Sequence, residues 1–342
     1  MPSGIIVHAA VFTAGAVLGG GIAAAISNKN RTSSALPVSA TPVPNGPIIG
    51  VETIGKTPAV PKDWSVTQSL PLALKHGNPG PITDVLIRKA YVAGYDRRLR
   101  HPAWTAEHLT RGSMSKTAGE PSGDRQNSKF IEDASLPSLF RARLQDYFRS
   151  GYDRGHMVPA ADAKSSQEAM DETFLLSNIA PQVGDGFNRH YWAYLEDWCR
   201  RLTGNFQDVY IFTVPLYLPR KESDGKWKVT YEVIGTPPNV SVPTHFAKVV
   251  LTSRPVSPAT PEIQEVSTGA FVLPNAIIPD EAPLESFVVP VEAVERAAGL
   301  TFFSEQLKAS SKHICQATKC DVIVRRFDDA RKNGRKAIAA PK

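Results

Sequence analysis

DYFRSGYDRGHMVPAADAK (Asp146–Lys164) sets a histidine, His156, between a charged Asp-Arg-Gly run and a Pro-Ala turn. A neutral imidazole near its ordinary pKa of about 6.5 can take a proton from water at neutral pH, which an ordinary carboxylate does poorly. A lone loop histidine is most often a solvated or hydrogen-bonded structural residue, so the reading of His156 turns on its company. Two stretches downstream supply that company, LLSNIAPQ (175–182) and GFNRHYWAYLEDWCRR (186–201). In the latter, Asn188, Trp192, Glu196 and Arg200 recur at steps of four. A helix over 188–202 would carry an amide, a carboxylate and a guanidinium on one slowly drifting stripe.

That set matches what phosphodiester hydrolysis needs: a base for water, positive charge for the leaving 3′-oxygen and the nonbridging oxygens, and donors for the crowded transition state. Mg²⁺ prefers oxygen ligands and keeps several waters, so one Asn carbonyl plus a substrate phosphate can hold it, with Glu196 beside its water shell. Other readings of the same side chains stay open. Asn188 could be a helix N-cap, and Glu196 with Arg200 a plain ion pair. His190 and His245 read as structural, and Tyr191, Trp192 and Trp198 as packing residues. Cys199 reads as a packing thiol, since no base accompanies it.

The rest of the chain bounds the class. It has 342 residues, 42% hydrophobic and 21% charged, enough for a sizeable core and ordinary for a globular protein. A net charge of +6 leans weakly toward polyanions. Three cysteines, Cys199, Cys315 and Cys320, are too few for a disulfide scaffold; the last two could close a small loop in an oxidising compartment, and no ligand pattern marks a zinc site. The uncharged run Ile5–Ile26 would rise roughly 33 Å as a helix, which suits a membrane anchor. A cleaved targeting segment and a buried core helix are the alternatives. From Thr32 to about Lys62 the chain is rich in Pro, Ser, Thr and Ala and reads as an extended linker. The expected organisation is thus a leader over 1–28, a linker over 29–63, a domain over 64–327 and a basic tail over 328–342. Strands are expected at 86–96, 209–219, 231–235, 244–253, 270–274 and 320–327, and helices at 166–173, 188–202 and 290–298. Strands and helices without strict βαβ alternation predict an α+β sheet domain.

DRGH, then SN-x-x-PQ, then FN-x-x-x-W-x-x-LE, in this order, resembles the DNA/RNA non-specific endonuclease family, in particular its mitochondrial endonuclease G branch in the fungal form. YVAGYDRRLRHPAWTAEHL upstream and PLYLPR, YEVIG and VPTHF downstream agree, so the resemblance spans about 79–327. It implies a ββα-metal (His-Me finger) nuclease fold, with a central antiparallel sheet flanked by helices. It also implies a metal-dependent, sequence-non-specific endonuclease that cuts DNA and RNA and leaves 5′-phosphates. By motif position, His156 is the general base, Asn188 the direct ligand of one Mg²⁺ (with Mn²⁺ as a substitute), and Glu196 acts on the ion's water shell. Arg154 and Arg200 contact or neutralise the phosphate, and Asp153 orients the site. The resemblance further implies a homodimer in mitochondria, at the inner membrane or in the intermembrane space.

Two departures stand out. Relatives carry Lys or Arg where this chain has Ile131 in Phe130-Ile131-Glu132-Asp133, leaving Lys129 as the nearest cation; they read Thr-Gly-Pro where it has Thr213-Val214-Pro215. Gln182 to Asn188 is one residue longer than in animal and bacterial members, as in fungal ones. The rival readings are a non-catalytic, membrane-tethered nucleic-acid-binding module of the same fold, and a phosphodiesterase for small substrates.

Overall fold

The computed structural model describes residues 83–115 and 121–324. The leader, the linker and the basic tail lie outside the described residues. The strands in chain order are β1 (Thr83–Ile87), β2 (Val92–Asp96), β3 (His101–Leu109), β4 (Asp153–His156), β5 (Ile179–Gln182), β6 (Asp208–Leu216) and β7 (Arg220–Lys221). They continue with β8 (Trp227–Lys228), β9 (Val233–Ile234), β10 (Val240–Ser241), β11 (His245–Ser257), β12 (Thr260–Pro274), β13 (Val288–Val289) and β14 (Lys312–His313). The helices are α1 (Leu144–Tyr147), α2 (Gln167–Glu172), α3 (Trp192–Leu202), α4 (Val291–Ala298), α5 (Glu305–Ser310) and α6 (Ile314–Ala317).

Side-chain alternation along the two longest strands sets the layers, because successive residues of a strand face opposite sides. On β11, Phe246 and Val250 face α3 together with Val209 and Ile211 of β6, while Ala247, Val249 and Leu251 face α4 with Val214 and Leu216. Each face is a separate apolar cluster. Phe187, Tyr191, Trp192, Leu195, Trp198 and Leu202 fill the α3 side; Val291, Val294 and Phe303 fill the other. Each such side chain, fully buried, stabilises the fold by roughly 1.5–3 kcal/mol. The main sheet runs β1-β2-β3-β6-β11-β12-β13, with β14 also on β12. Its pairings are antiparallel except β12 with β14, which is parallel. This is an α+β sheet domain with helices on both faces.

Several expected elements come out differently. The 86–96 run is two strands of a hairpin, turned where Arg88 N–H donates to the Tyr91 carbonyl at 2.8 Å. In 231–235 only Val233 and Ile234 pair, with Val240 and Ser241. No strand forms over 320–324, where Cys320 is instead tied to Cys315 in a disulfide. Strand β3 escapes the apolar pattern because His101, Thr105 and Glu107, all polar, point into the interior. Helix α2 is capped by Ser166, whose Oγ accepts from Ala169 N–H, and α4 ends at Gly299 in the left-handed conformation. No described helix is long and apolar enough to cross a membrane.

Candidate active site

His156 ends β4, which pairs antiparallel with β5 so that Asp153 faces Gln182 and His156 faces Ile179. The glycine of the motif is demanded by this pairing: a Cβ on Gly155 would lie 2.1 Å from Gln182 Oε1. The imidazole is buried and packs against the rings of Phe130 (centroids 5.4 Å) and Phe174 (4.7 Å, edge-on). Over each ring stands a cation, Arg154 at 4.4 Å from the Phe130 centroid and Arg125 at 5.4 Å from that of Phe174. Nε2 of His156 is buried with no hydrogen bond among the described residues, which leaves Nδ1 as the ring nitrogen for a water. Burial, and secondarily the Arg125 charge, lower the imidazole pKa to about 3. At neutral pH the ring is uncharged, and at this pKa it binds a proton no more strongly than an ordinary carboxylate.

Asn188 does not lie on a continuous α-helix with Glu196. Gly184–Tyr191 forms a π-helical turn, in which Asn188 N–H donates to the Val183 carbonyl at 2.9 Å, and only from Trp192 does the α-helix begin. The kink at Asp185 and Gly186, with Gly186 at φ 73° where a side chain is strained, precedes Asn188; beyond it the Trp192 N–H donates to the Phe187 carbonyl five residues back, which widens the turn between Asn188 and α3. The expected step of four from Asn188 to Trp192 therefore fails, and Trp192 belongs to the core. The π-turn instead carries Asn188 to the finger strand. Its Nδ2 donates to Asp153 Oδ2 at 2.9 Å, and Arg189 grips the same carboxylate through Nε (2.8 Å) and Nη2 (3.1 Å). Burial opposes ionisation of Asp153, but the Arg189 and Asn188 hydrogen bonds outweigh it and hold the carboxyl below its usual range. With its amide NH₂ fixed, Asn188 keeps Oδ1 clear of hydrogen bonds among the described residues, so the N-cap reading does not hold.

Glu196 lies on α3 within electrostatic reach of Lys248, Arg200, Asp162 and Arg125. Burial raises its pKa to about 7, against the opposing pull of Lys248 and Arg200. Arg200 Nη1 donates to the buried Asp162 at 2.8 Å, so its guanidinium is held rather than loose. Lys248 is fully buried; it donates to Thr213 Oγ1 at 2.8 Å and stands 5.0 Å over the Trp192 ring. Glu107 beside it has both carboxyl oxygens buried without a hydrogen-bond donor among the described residues. Burial, then the Asp162 carboxylate, drive its pKa well above the usual value. Cys199 is a buried thiol pushed up to about 12 by burial, which removes it as a nucleophile. His190 Nδ1 accepts from Gly186 N–H and His245 Nδ1 pairs with Thr244 Oγ1, both structural contacts.

The fold thus joins Asp153 to Asn188, sets Arg154 against the packing of His156, and places Glu196 with Arg200. It also adds residues the sequence pattern did not single out: Arg125, Asp162, Glu107 and Lys248. Lys248 alone left a visible trace, as a single charge on the buried phase of an otherwise apolar strand. Ile131 is exposed and bridges Leu175, with no cation at its position. Val214 fits a regular, buried stretch of β6 opposite Ala247.

The donors here suit a hard cation. No group of three or more His, Cys, Asp or Glu side chains among the described residues is placed to hold a metal ion, while Asn188 Oδ1 and the Glu196 carboxylate offer oxygens. Such a sparse oxygen set matches Mg²⁺ shared with a phosphate rather than a caged ion. An open cleft lined by Arg125, Lys164 and Asp124 adjoins the site.

Known proteins share this architecture. The family model described as DNA/RNA non-specific endonuclease matches residues 71–309. The chain is 50% identical over 262 residues to "Nuclease 1, mitochondrial" of Schizosaccharomyces pombe, covering 77% of this chain and 79% of that one. It is 43% identical over 228 residues to "Endonuclease G, mitochondrial" of Homo sapiens, covering 67% and 72%. A chain of a solved EndoG/EndoGI complex superposes with a TM-score of 0.62 at 45% identity, over 70% of this chain and 93% of that one.

Proposed function

The chain belongs to the DNA/RNA non-specific endonuclease family, an enzyme that hydrolyses phosphodiester bonds of nucleic acid, and from that premise we propose that His156 is its general base. The observation that carries this reading is the place of His156 at the end of β4 between the Phe130 and Phe174 rings, with Arg154 and Arg125 over those rings bringing positive charge to its two sides. His156 Nδ1 accepts the proton of a water whose oxygen attacks phosphorus in line; the 3′-oxygen leaves and the product carries a 5′-phosphate. Arg154, exposed and without an ion pair among the described residues, neutralises nonbridging oxygens, and Arg125 assists from the opposite ring. Asp153 fixes the Asn188 amide so that its carbonyl oxygen faces one partner only. Arg200, tied to Asp162, supplies fixed positive charge beside Glu196 and steadies that carboxylate.

Asn188 would hold Mg²⁺, or Mn²⁺ in its place, with Glu196 on the ion's water shell, and the ion would supply charge stabilisation at the leaving oxygen. Contacts to phosphate rather than base edges account for cutting DNA and RNA with little sequence preference. The names of the relatives support residence in mitochondria, and the uncharged leader supports a tether at the inner membrane with the domain in the intermembrane space. The chain acts as a homodimer in this reading.

Plasmid nicking by wild type and His156→Ala, with and without Mg²⁺, tests it. Wild type should convert supercoiled DNA to nicked and linear forms only with the metal, and His156→Ala should be slower by about 10²–10⁴-fold. Undiminished cutting by His156→Ala overturns the assignment. Wild type that binds DNA without cutting it would return the chain to the non-catalytic module.

A further inference from the structure

Between β7 and the finger strands the chain leaves an unusual row at the surface. Trp227 (67% exposed), Val229 (45%), Tyr231 (38%) and Val233 (45%) lie along an exposed segment with Lys228, Thr230 and Glu232, strand only at Trp227–Lys228 and Val233–Ile234. The row starts on a short hairpin in which Lys221 faces Trp227 and Arg220 faces Lys228. Arg220 and Lys228 are neutralised by Glu222 and Asp224, each at 3.0 Å. Lys221 and Lys226 have no ion pair among the described residues, so the Trp227 ring has an uncompensated cation facing it across the hairpin and another beside it.

The other end of the row is anchored at the catalytic finger. Ile234 is buried in one cluster with Leu176 and Ile179, against which Phe130 and Tyr152 pack. Ile179 is the cross-strand partner of His156, and Phe130 touches its ring. Midway, Tyr231 meets Tyr217 edge-on at 4.7 Å, and Tyr217 is pinned by its hydroxyl to His101 Nε2 at 2.6 Å, so the row is braced. Seven residues from Ile234 back to Trp227 span at most about 23 Å. At roughly 3.4 Å per stacked nucleotide, a strand leaving the site stays within reach of the row for about seven nucleotides.

We propose that Trp227 and Tyr231 are stacking platforms, with Val229 and Val233 as apolar contacts between and beyond them, for an unpaired strand of the substrate beside the scissile phosphate, with Lys221 and Lys226 holding its backbone. Exposed aromatic faces flanked by free cations call for a ligand that offers flat apolar faces and regular negative charge together, which is single-stranded nucleic acid. A duplex hides its base faces in the stack and would use only the lysines. The track rests on the reading of the β4–β5 finger as the catalytic site, but its own test is binding.

Full-length protein carrying His156→Ala, which should bind without cutting, is titrated with a fluorescent single-stranded 5-mer and 20-mer. Adding Trp227→Ala should weaken the 20-mer by roughly tenfold or more while changing the 5-mer by less than about twofold, and Trp227→Phe should restore most of the loss. Lys221→Ala with Lys226→Ala should reduce the salt slope of 20-mer binding by about 1–2. An unchanged 20-mer affinity in Trp227→Ala overturns the track and leaves the row to a protein partner; equal losses on both lengths also overturn it, as a general structural effect. Persistent cutting by the His156→Ala parent would instead sink the assignment of the base, and the binding comparison would still judge the track.

Discussion

Burial of His156 has a cost that pH should expose. Its pKa is about 3 folded and about 6.5 unfolded, so between those values the unfolded chain binds more protons. Its contribution to stability is full above about pH 6.5 and is lost as pH falls toward 3, by on the order of 3–5 kcal/mol. His156→Phe should therefore flatten the acid side of the stability curve, measured by urea denaturation from pH 7 to 4; a parallel loss in both proteins would contradict the assigned burial. Glu196 has the opposite sign. Its pKa, raised to about 7 by burial, makes the metal-free folded chain bind more protons than the unfolded one, so stability is highest below about 4.5 and falls as pH rises through 7. Glu196→Gln should be more stable than wild type at pH 8 by on the order of 1–3 kcal/mol, and should lose most activity. A variant less stable at pH 8 would show that Lys248 and Arg200 compensate the charge fully.

The π-turn at Gly184–Tyr191 and the β4–β5 finger work as a pair. Neither element alone orients Asn188; the turn supplies the side chain and Asp153 of the finger fixes its amide. Asp153→Ala should raise the Mg²⁺ concentration for half-maximal cleavage about 10–100-fold, as removal of an orienting partner does at other metal sites, with the melting temperature nearly retained. An unchanged metal requirement would mean that Asn188 is held by its backbone alone. The helical stripe read at steps of four misses this arrangement because hydrophobic spacing cannot distinguish a π-turn followed by an α-helix from one α-helix. That distinction is made by bonds five residues back, from the Asn188 N–H to the Val183 carbonyl and from the Trp192 N–H to the Phe187 carbonyl. Glu196 and Arg200, both within α3, do keep the expected one-turn separation.

Positive charge stands at three places: Arg125 and Lys164 in the cleft, Arg154 on the finger, Lys221 and Lys226 on the hairpin. If these cations hold phosphates, each contact releases condensed counterions, and affinity falls steeply with salt. Cleavage at subsaturating plasmid should drop by about 10²-fold or more between 50 and 200 mM KCl, with a log–log slope of about −4, measured at fixed Mg²⁺. A slope near zero would rule out a phosphate-tracking surface.

The order DRGH, SN-x-x-PQ, FN-x-x-x-W-x-x-LE brings His156, Asn188 and Glu196 forward as the proposed base, amide and carboxylate, because the motifs fix residue types and their order, whereas regular spacing at steps of four holds only within α3. The α+β class followed from the mixture of strand and helix periods, and α2 and α4 from their capping residues. Arg125, Asp162, Glu107 and Lys248 were fixed only by tertiary structure. They come from the segment upstream of the motif, from the turn after it, and from β3 and β11, and they meet only when the sheet closes beneath α3. Their pairing depends on burial and through-space charge, neither of which has a period along the chain. The same holds for His156: the motif names it, but the two phenylalanine rings that pack around it, and the burial that lowers its pKa, are brought there by the fold.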